Sequence, residues 1–138
     1  MATPDYPDEV LGFIDHLRER FPDFDRRWHS DQLGGGERLA YVEAGTLAMY
    51  LADLMEFDPE SDALRSLSQE IEKAFASELD KDWLVVGLLE SIQNMVANDH
   101  IDGSRSITPG DVKRHLGPLA QAGWATLDES WGNSVDDM

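Results

Sequence analysis

Twenty-eight carboxylates and four histidines are the residues of this 138-residue chain with the chemistry for catalysis or metal binding, and no cysteine accompanies them. A helical metal site needs two ligands four residues apart on one face, and His16, His29, His100 and His115 supply no such pair. His16 and His115 fall on predicted helices and read as ordinary, partly exposed histidines. Asn98, His100, Asp102 and Gly103 echo the first, third, fifth and sixth positions of a calcium loop, but Pro109 stands at the twelfth, where the bidentate glutamate belongs. Asp102-Gly103 reads instead as a turn. Acid–base catalysis by two carboxylates needs a fixed separation across a cleft, and acids spread this evenly single out no pair. No G-x-S-x-G, phosphate-binding loop or G-x-G-x-x-G is present. Gly34-Gly35-Gly36 has neither a following lysine nor a preceding apolar strand, so it reads as a flexible turn. Without cysteine there is no disulfide, zinc–thiolate site or thiol nucleophile. The expectation is a non-catalytic protein with no catalytic residues, no metal site and no cofactor; an enzyme working through two carboxylates is the weakest alternative.

The carboxylates then matter as charge. Against 11 Lys and Arg they give a net charge of −17. Disordered acidic tails reach such values but lack aromatics and apolar periodicity, whereas this chain has four Trp, five Phe and three Tyr. A folded domain with so much like charge loses stability to self-repulsion, and a basic partner is the simplest reason to keep it. Nucleic acid as a direct ligand and anionic membrane surfaces both need Lys/Arg clusters, which are missing. No stretch approaches the roughly 18 apolar residues of a membrane span, and Met1-Ala2-Thr3-Pro4-Asp5 does not open a signal peptide; a cytoplasmic protein is expected.

The elements that position these acids are helices. Val10, Leu11, Ile14, Leu17 and Phe21 form an amphipathic stripe over Asp5–Arg20, ended by Pro22. A short helix from Pro22 to about Gln32 carries Phe24 and Trp28. After the glycine run, Leu39–Glu43 is ambiguous between an extended piece and a helix start. From Ala44 a helix carries Leu47, Leu51, Leu54 and Met55 and ends at Phe57-Asp58-Pro59. Asp58 as N-cap with Pro59 opens the next helix, with Leu64, Leu67, Ile71, Ala74 and Phe75 on one face, running about 20 residues to Leu79, or roughly 30 Å. Asp80-Lys81-Asp82 caps the most apolar helix, which holds Trp83, Leu84, Val85, Val86, Leu88, Leu89, Ile92, Met95 and Val96 and belongs at the centre. Asn98–Ile107 reads as a polar loop. Thr108-Pro109-Gly110-Asp111 starts a helix with a capping box, Gly117-Pro118 breaks it, and Trp124, Leu127 and Trp131 mark a last helical face. The predicted fold is all-α, a single-domain bundle of about six helices or a stack of HEAT-like antiparallel hairpins. The N-terminal helical pair spans 1–33, the main body 39–131, and an acidic tail 132–138.

The segment Asp82-Trp83-Leu84-Val85-Val86-Gly87-Leu88-Leu89-Glu90-Ser91-Ile92-Gln93-Asn94 resembles a helix of small acidic bacterial proteins that form a helical domain family, in which a VVGFLE-like stretch follows an acidic helix. Tyr41-Val42-Glu43-Ala44-Gly45-Thr46-Leu47-Ala48 is similar to their shared region after a glycine-rich break. Such proteins look like immunity proteins, the cognate antitoxins of polymorphic or contact-dependent toxins. The resemblance implies a chain that binds and neutralises a toxin domain, and it carries over no catalytic residue. Many such toxin domains are basic nucleases, to which an acidic inhibitor is steered by charge.

Between Asp53 and Asp82 ten acids face three bases. If the three central helices run up, down and up, the 57–60 and 98–107 loops share one end. Asp53, Glu56, Asp58, Glu60, Asp62, Asp99 and Asp102 are then the candidate partner-binding acids, with Asp80 and Asp82 at the opposite end. Service to helix N-termini accounts for a few of these acids, at roughly 0.3–1 kcal/mol each, but not for the total. Trp28, in the polar setting Arg26-Arg27-Trp28-His29, is the candidate aromatic anchor. The expected partner is a basic protein. The alternatives are an acidic adaptor or chaperone, marked by a large exposed apolar patch, and a nucleic-acid mimic.

Overall fold

The computed structural model describes residues 8–31 and 38–131. Two short helices, α1 (Asp8–Arg20) and α2 (Pro22–Asp31), are followed by two longer ones, α3 (Ala40–Phe57) and α4 (Asp62–Ala76). A π-helical segment, Trp83–Leu89, runs directly into α5 (Glu90–Asp102), and α6 (Pro109–Arg114) and α7 (Pro118–Trp131) complete the chain. The fold is all-helical, and Val10, Phe24, Leu51, Ile71, Leu88 and Trp124 belong to one continuous core. Gly34-Gly35-Gly36, the two termini and the side chain of Trp131 lie outside the described residues.

The central helices run up, down and up, as the sequence suggests. Trp83 Nε1 donates to the Ala40 carbonyl at 2.8 Å, and Arg105 reaches Asp53 at 2.8 Å, so α3 and α5 lie side by side and point the same way. The short 58–61 connection turns α4 back between those levels. Its apolar stripe, Leu64, Leu67, Ile71, Ala74 and Phe75, is buried throughout. Full burial stabilises by about 1.5–3 kcal/mol per large apolar side chain, and packing of such a face supplies most of a helix's stability in a protein. Trp83, Leu84, Leu88, Leu89, Ile92 and Val96 are fully buried, which makes the π-helical segment and α5 the centre of the domain.

Several boundaries differ from the sequence reading. Helix α3 starts at Ala40, so the ambiguous Leu39–Glu43 stretch is its first turn. Glu43 is drawn inward there by Arg38 and Trp28. Helix α4 is capped by Ser61, whose side chain accepts from Leu64 N at 3.1 Å, while Asp58 closes α3. Serine caps as well as aspartate. The helix stops at Ala76, after 15 residues, because Ser77 turns back on it and donates to the Ala74 carbonyl from its N–H and its hydroxyl. Asn98–Asp102 is helix rather than loop, and Gly103 closes α5 with a left-handed φ of 87°. Glycine adopts that conformation without a Cβ penalty.

The capping box at Thr108 is present in both directions: Asp111 N donates to Thr108 Oγ1 at 3.2 Å and Thr108 N to Asp111 Oδ2 at 2.9 Å. Gly117-Pro118 separates α6 from α7, and a remote side chain supplies the cap of α7. Glu72 of α4 accepts from Leu119 N at 2.6 Å and Ala120 N at 3.1 Å. A Cβ on Gly117 would lie 2.5 Å from Glu72 Oε1, so glycine here makes room for the carboxylate that ties α4 to α7.

Candidate protein-binding surface

The corner where α3 turns into α4 and α5 runs into the 103–108 loop gathers seven of the expected acids. Asp53 accepts from Arg27 at 2.7 Å and from Arg105 at 2.8 Å, and Arg105 Nε also reaches Asp99 at 3.0 Å. The Arg105 side chain is only 10% exposed. Burial works against its charge, but the bonds to Asp53 and Asp99 outweigh it and hold its pKa above the ordinary arginine value. Glu56 accepts from the Ser106 hydroxyl, from Ser106 N at 3.0 Å and from Ile107 N at 3.1 Å. The Ser106 hydroxyl bond is the main reason its carboxyl sits below the usual value; slight burial opposes, and the two backbone N–H groups and Arg105 add to the lowering. Asp102 folds onto Ser104, accepting from its hydroxyl at 2.5 Å and its N–H at 2.8 Å, which likewise lowers its pKa. Asp62 pairs with Arg65 on its own helix. Asp58 and Glu60 are exposed, and their carboxylates have no partner among the described residues.

The expected acids therefore have different jobs. Asp53, Glu56 and Asp99 fasten the corner together, Asp62 and Asp102 serve local turns, and Asp58 and Glu60 point unpaired charge at solvent.

Trp28 lies elsewhere. Its Nε1 donates to Glu43 at 2.7 Å, and the Arg18 guanidinium stacks 3.6 Å from its ring centre. Glu43 stands ten residues before Asp53 on α3, or about 15 Å along the axis. Trp28 is half-buried and belongs to a clasp rather than to the acidic corner. In that clasp Glu43 is fully buried and also accepts from Arg38 Nε at 3.1 Å and Nη2 at 2.6 Å. The Glu43 bonds lead in raising the Arg38 pKa; partial burial opposes and Asp15 adds. At Asp15, partial burial pushes the carboxyl up, but Arg38 and Arg18 outweigh it and hold the pKa low.

Sequence reasoning missed Phe57. It is 77% exposed, the most exposed large apolar side chain among the described residues. No local signal marked it, since Phe57 follows the buried Tyr50 by seven residues on the same helical face. Beside it, a groove of about 450 Å³ between α2 and α3 has Tyr50 and Leu54 in its lining and the Arg27–Asp53 pair along its wall. A second cavity of about 330 Å³ shares Tyr50 and Asp23 with it and extends toward Asp62. Burial raises the Tyr50 pKa against the opposing pull of Arg27 and Arg26, so its ring is neutral groove lining at physiological pH.

Each of the eight arginines forms at least one ion pair with a carboxylate of the chain itself. Lys73 approaches Glu70 at 3.8 Å, and Lys81 donates to the Ser77 carbonyl at 2.7 Å. The arginines are therefore held in pairs within the chain, and the acids outnumber them. Among the described residues no group of three or more His, Asp or Glu is arranged to hold a metal ion, and no helix is long and apolar enough to cross a membrane. No family model matches the chain, and neither a curated protein nor a solved structure matches it significantly.

Proposed function

We propose that this chain is a non-catalytic, immunity-type binding protein that neutralises a basic protein, a cognate toxin domain, by covering the partner's basic active surface with its own acidic one. The observation that carries this reading is the disposition of charge. At a net charge of −17, every arginine is engaged by the chain's own acids, while Asp58 and Glu60 face solvent with no partner among the described residues. Such a surface accelerates encounter with a positive partner and repels phosphate backbones. Carboxylates placed where a nuclease binds phosphate would occlude it, and charge-assisted pairs with its Arg and Lys would slow release. Co-expression with the product of the adjacent gene tests the reading. Rescue of growth together with a stable one-to-one complex is expected; toxicity unchanged by co-expression, with no complex formed, would remove it.

A second reading, an adaptor for a basic protein, is favoured by a different observation. Leu39, just before α3, and Val42 and Met49 on it are each about half exposed, the kind of apolar strip that adaptors offer. An adaptor would hold its partner without abolishing the partner's activity, so an activity assay on the purified complex separates the two.

A further inference from the structure

We infer that the basic partner is gripped at the α3–α4 corner, with Phe57 inserted into an apolar slot of the partner and a partner cation beside that slot held by Asp58 and Glu60. This deepens the reading above and rests on it; what it adds is the surface and the chemistry of the complementary patch.

Three observations converge on that corner. Phe57 presents 77% of its surface to solvent at the end of a helix whose inner residues Leu51 and Met55 are buried, so the ring is exposed yet carried on a rigid mount. A large, rigid aromatic projecting from a firm scaffold is the typical centre of a binding hot spot, because little rotamer freedom is lost when it is covered. Asp58 and Glu60 flank it with carboxylates that have no partner among the described residues, whereas the neighbouring Asp53 and Asp62 are already held by Arg27 and Arg65. Within this corner Asp58 and Glu60 are therefore the acids left for an arriving cation. Finally, the groove of about 450 Å³ beside Phe57 offers Tyr50 and Leu54 to the stem of a lysine or arginine, and Asp23, Asp53 and Asp58 in its lining outnumber Arg26 and Arg27.

Charge complementarity selects the occupant. A second copy of this chain would bring another −17 to the contact, and a nucleic acid or anionic membrane is repelled for the same reason. A basic protein surface carrying an apolar slot fits both the ring and the acids.

The test uses two synthetic peptides as probes, one of alternating arginine and leucine and one of alternating arginine and serine, titrated into the isotopically labelled full chain at low ionic strength. The arginine–leucine peptide is expected to bind more tightly and to shift the amide signals of Tyr50, Phe57, Asp58 and Glu60. Phe57→Ala is expected to weaken that peptide about tenfold, a loss of about 1.4 kcal/mol, and to leave the arginine–serine peptide nearly unaffected. Asp58→Lys with Glu60→Lys is expected to weaken both. All three positions are exposed, so the variants keep the helical circular dichroism of the parent. Shifts concentrated on Leu39, Val42 and Met49 or on the 79–82 corner, or a Phe57→Ala variant that binds like the parent, would overturn the surface assignment while leaving the basic-partner reading standing. Failure of both arginine peptides to bind would overturn that reading as well.

Discussion

Replacing Glu43 by glutamine tests the clasp that holds the first two helices against α3. Glu43 is fully buried and accepts three hydrogen bonds, from Trp28 Nε1 at 2.7 Å and from Arg38 Nη2 at 2.6 Å and Nε at 3.1 Å. Glutamine keeps the shape but removes the charge, and its NH2 group must face one of those donors. Hydrogen bonds to a charged group contribute about 1.5–3 kcal/mol each, and breaking a buried pair costs about 3–5 kcal/mol. The Arg38 side chain is 28% exposed and keeps Asp15 at 3.1 Å, so water and Asp15 recover part of the loss. A net destabilisation of about 3 kcal/mol follows, at the lower end of the buried-pair range. With a urea slope of about 2 kcal/mol/M, the unfolding midpoint of Glu43→Gln falls by about 1.5 M. Arg38→Met added to that variant costs less than in the parent, with a coupling of at least about 1 kcal/mol. Asp15→Asn, at a partly exposed pair, shifts stability by less than about 1 kcal/mol. A Glu43→Gln midpoint within about 0.3 M of the parent, the size of an ordinary surface change, would refute the reasoning.

Gly117→Ala places a methyl 2.5 Å from Glu72 Oε1, and displacing that cap costs about 1–2 kcal/mol in thermal or urea unfolding. In a Glu72→Ala background the same substitution is nearly neutral, and additive costs would count against the capping account. The Glu56 carboxyl, held below its unfolded value chiefly by the Ser106 hydroxyl, contributes stability that is fully present above the unfolded carboxylate pKa of about 4.3 and is lost as pH falls through the lower folded value. Urea midpoints measured from neutral pH down into the acid range should therefore fall less steeply for Glu56→Gln than for the parent, and parallel acid limbs would contradict this. Burial, with Arg114 nearby, depresses the His115 pKa. Its ring should titrate by NMR below the free value of about 6.5, and stability should drop as pH falls from that value through the folded one; a midpoint at or above the free value would count against the burial.

What was legible in the sequence was local. Helical stripes, the Thr108–Asp111 capping box, the break at Gly117-Pro118 and the burial of Trp83 and Trp124 follow from spacing and from residues a few positions apart. That the α3–α4 and α5–α6 connections share one end followed from supposing that the three central helices run up, down and up. What was not legible joins residues far apart in the chain. Arg105 reaches Asp53, Glu56 accepts from Ser106, and Glu72 caps α7 across about a third of the chain. Nothing in a local pattern says which of 28 acids will meet which of 11 bases, so among the candidate acids those with internal partners could not be separated from Asp58 and Glu60, whose carboxylates have none among the described residues. Trp28 looked like a contact residue because its sequence neighbours are polar, yet Arg26 and Arg27 turn to Asp23 and Asp53 while Arg18, Arg38 and Glu43 close on its ring. Phe57 lies on the same helical face as the buried Tyr50, so its exposure at the end of α3 could not be read from spacing.

The measurement that bears most directly on the central claim is the association rate of this chain with the product of the adjacent gene, followed by stopped-flow fluorescence over a range of salt concentrations. Steered by charge, the rate should be fast at low salt and fall steeply as ionic strength rises, with dissociation much less affected. No complex, or an association rate that does not change with salt, would contradict the proposal that an acidic surface captures a basic partner.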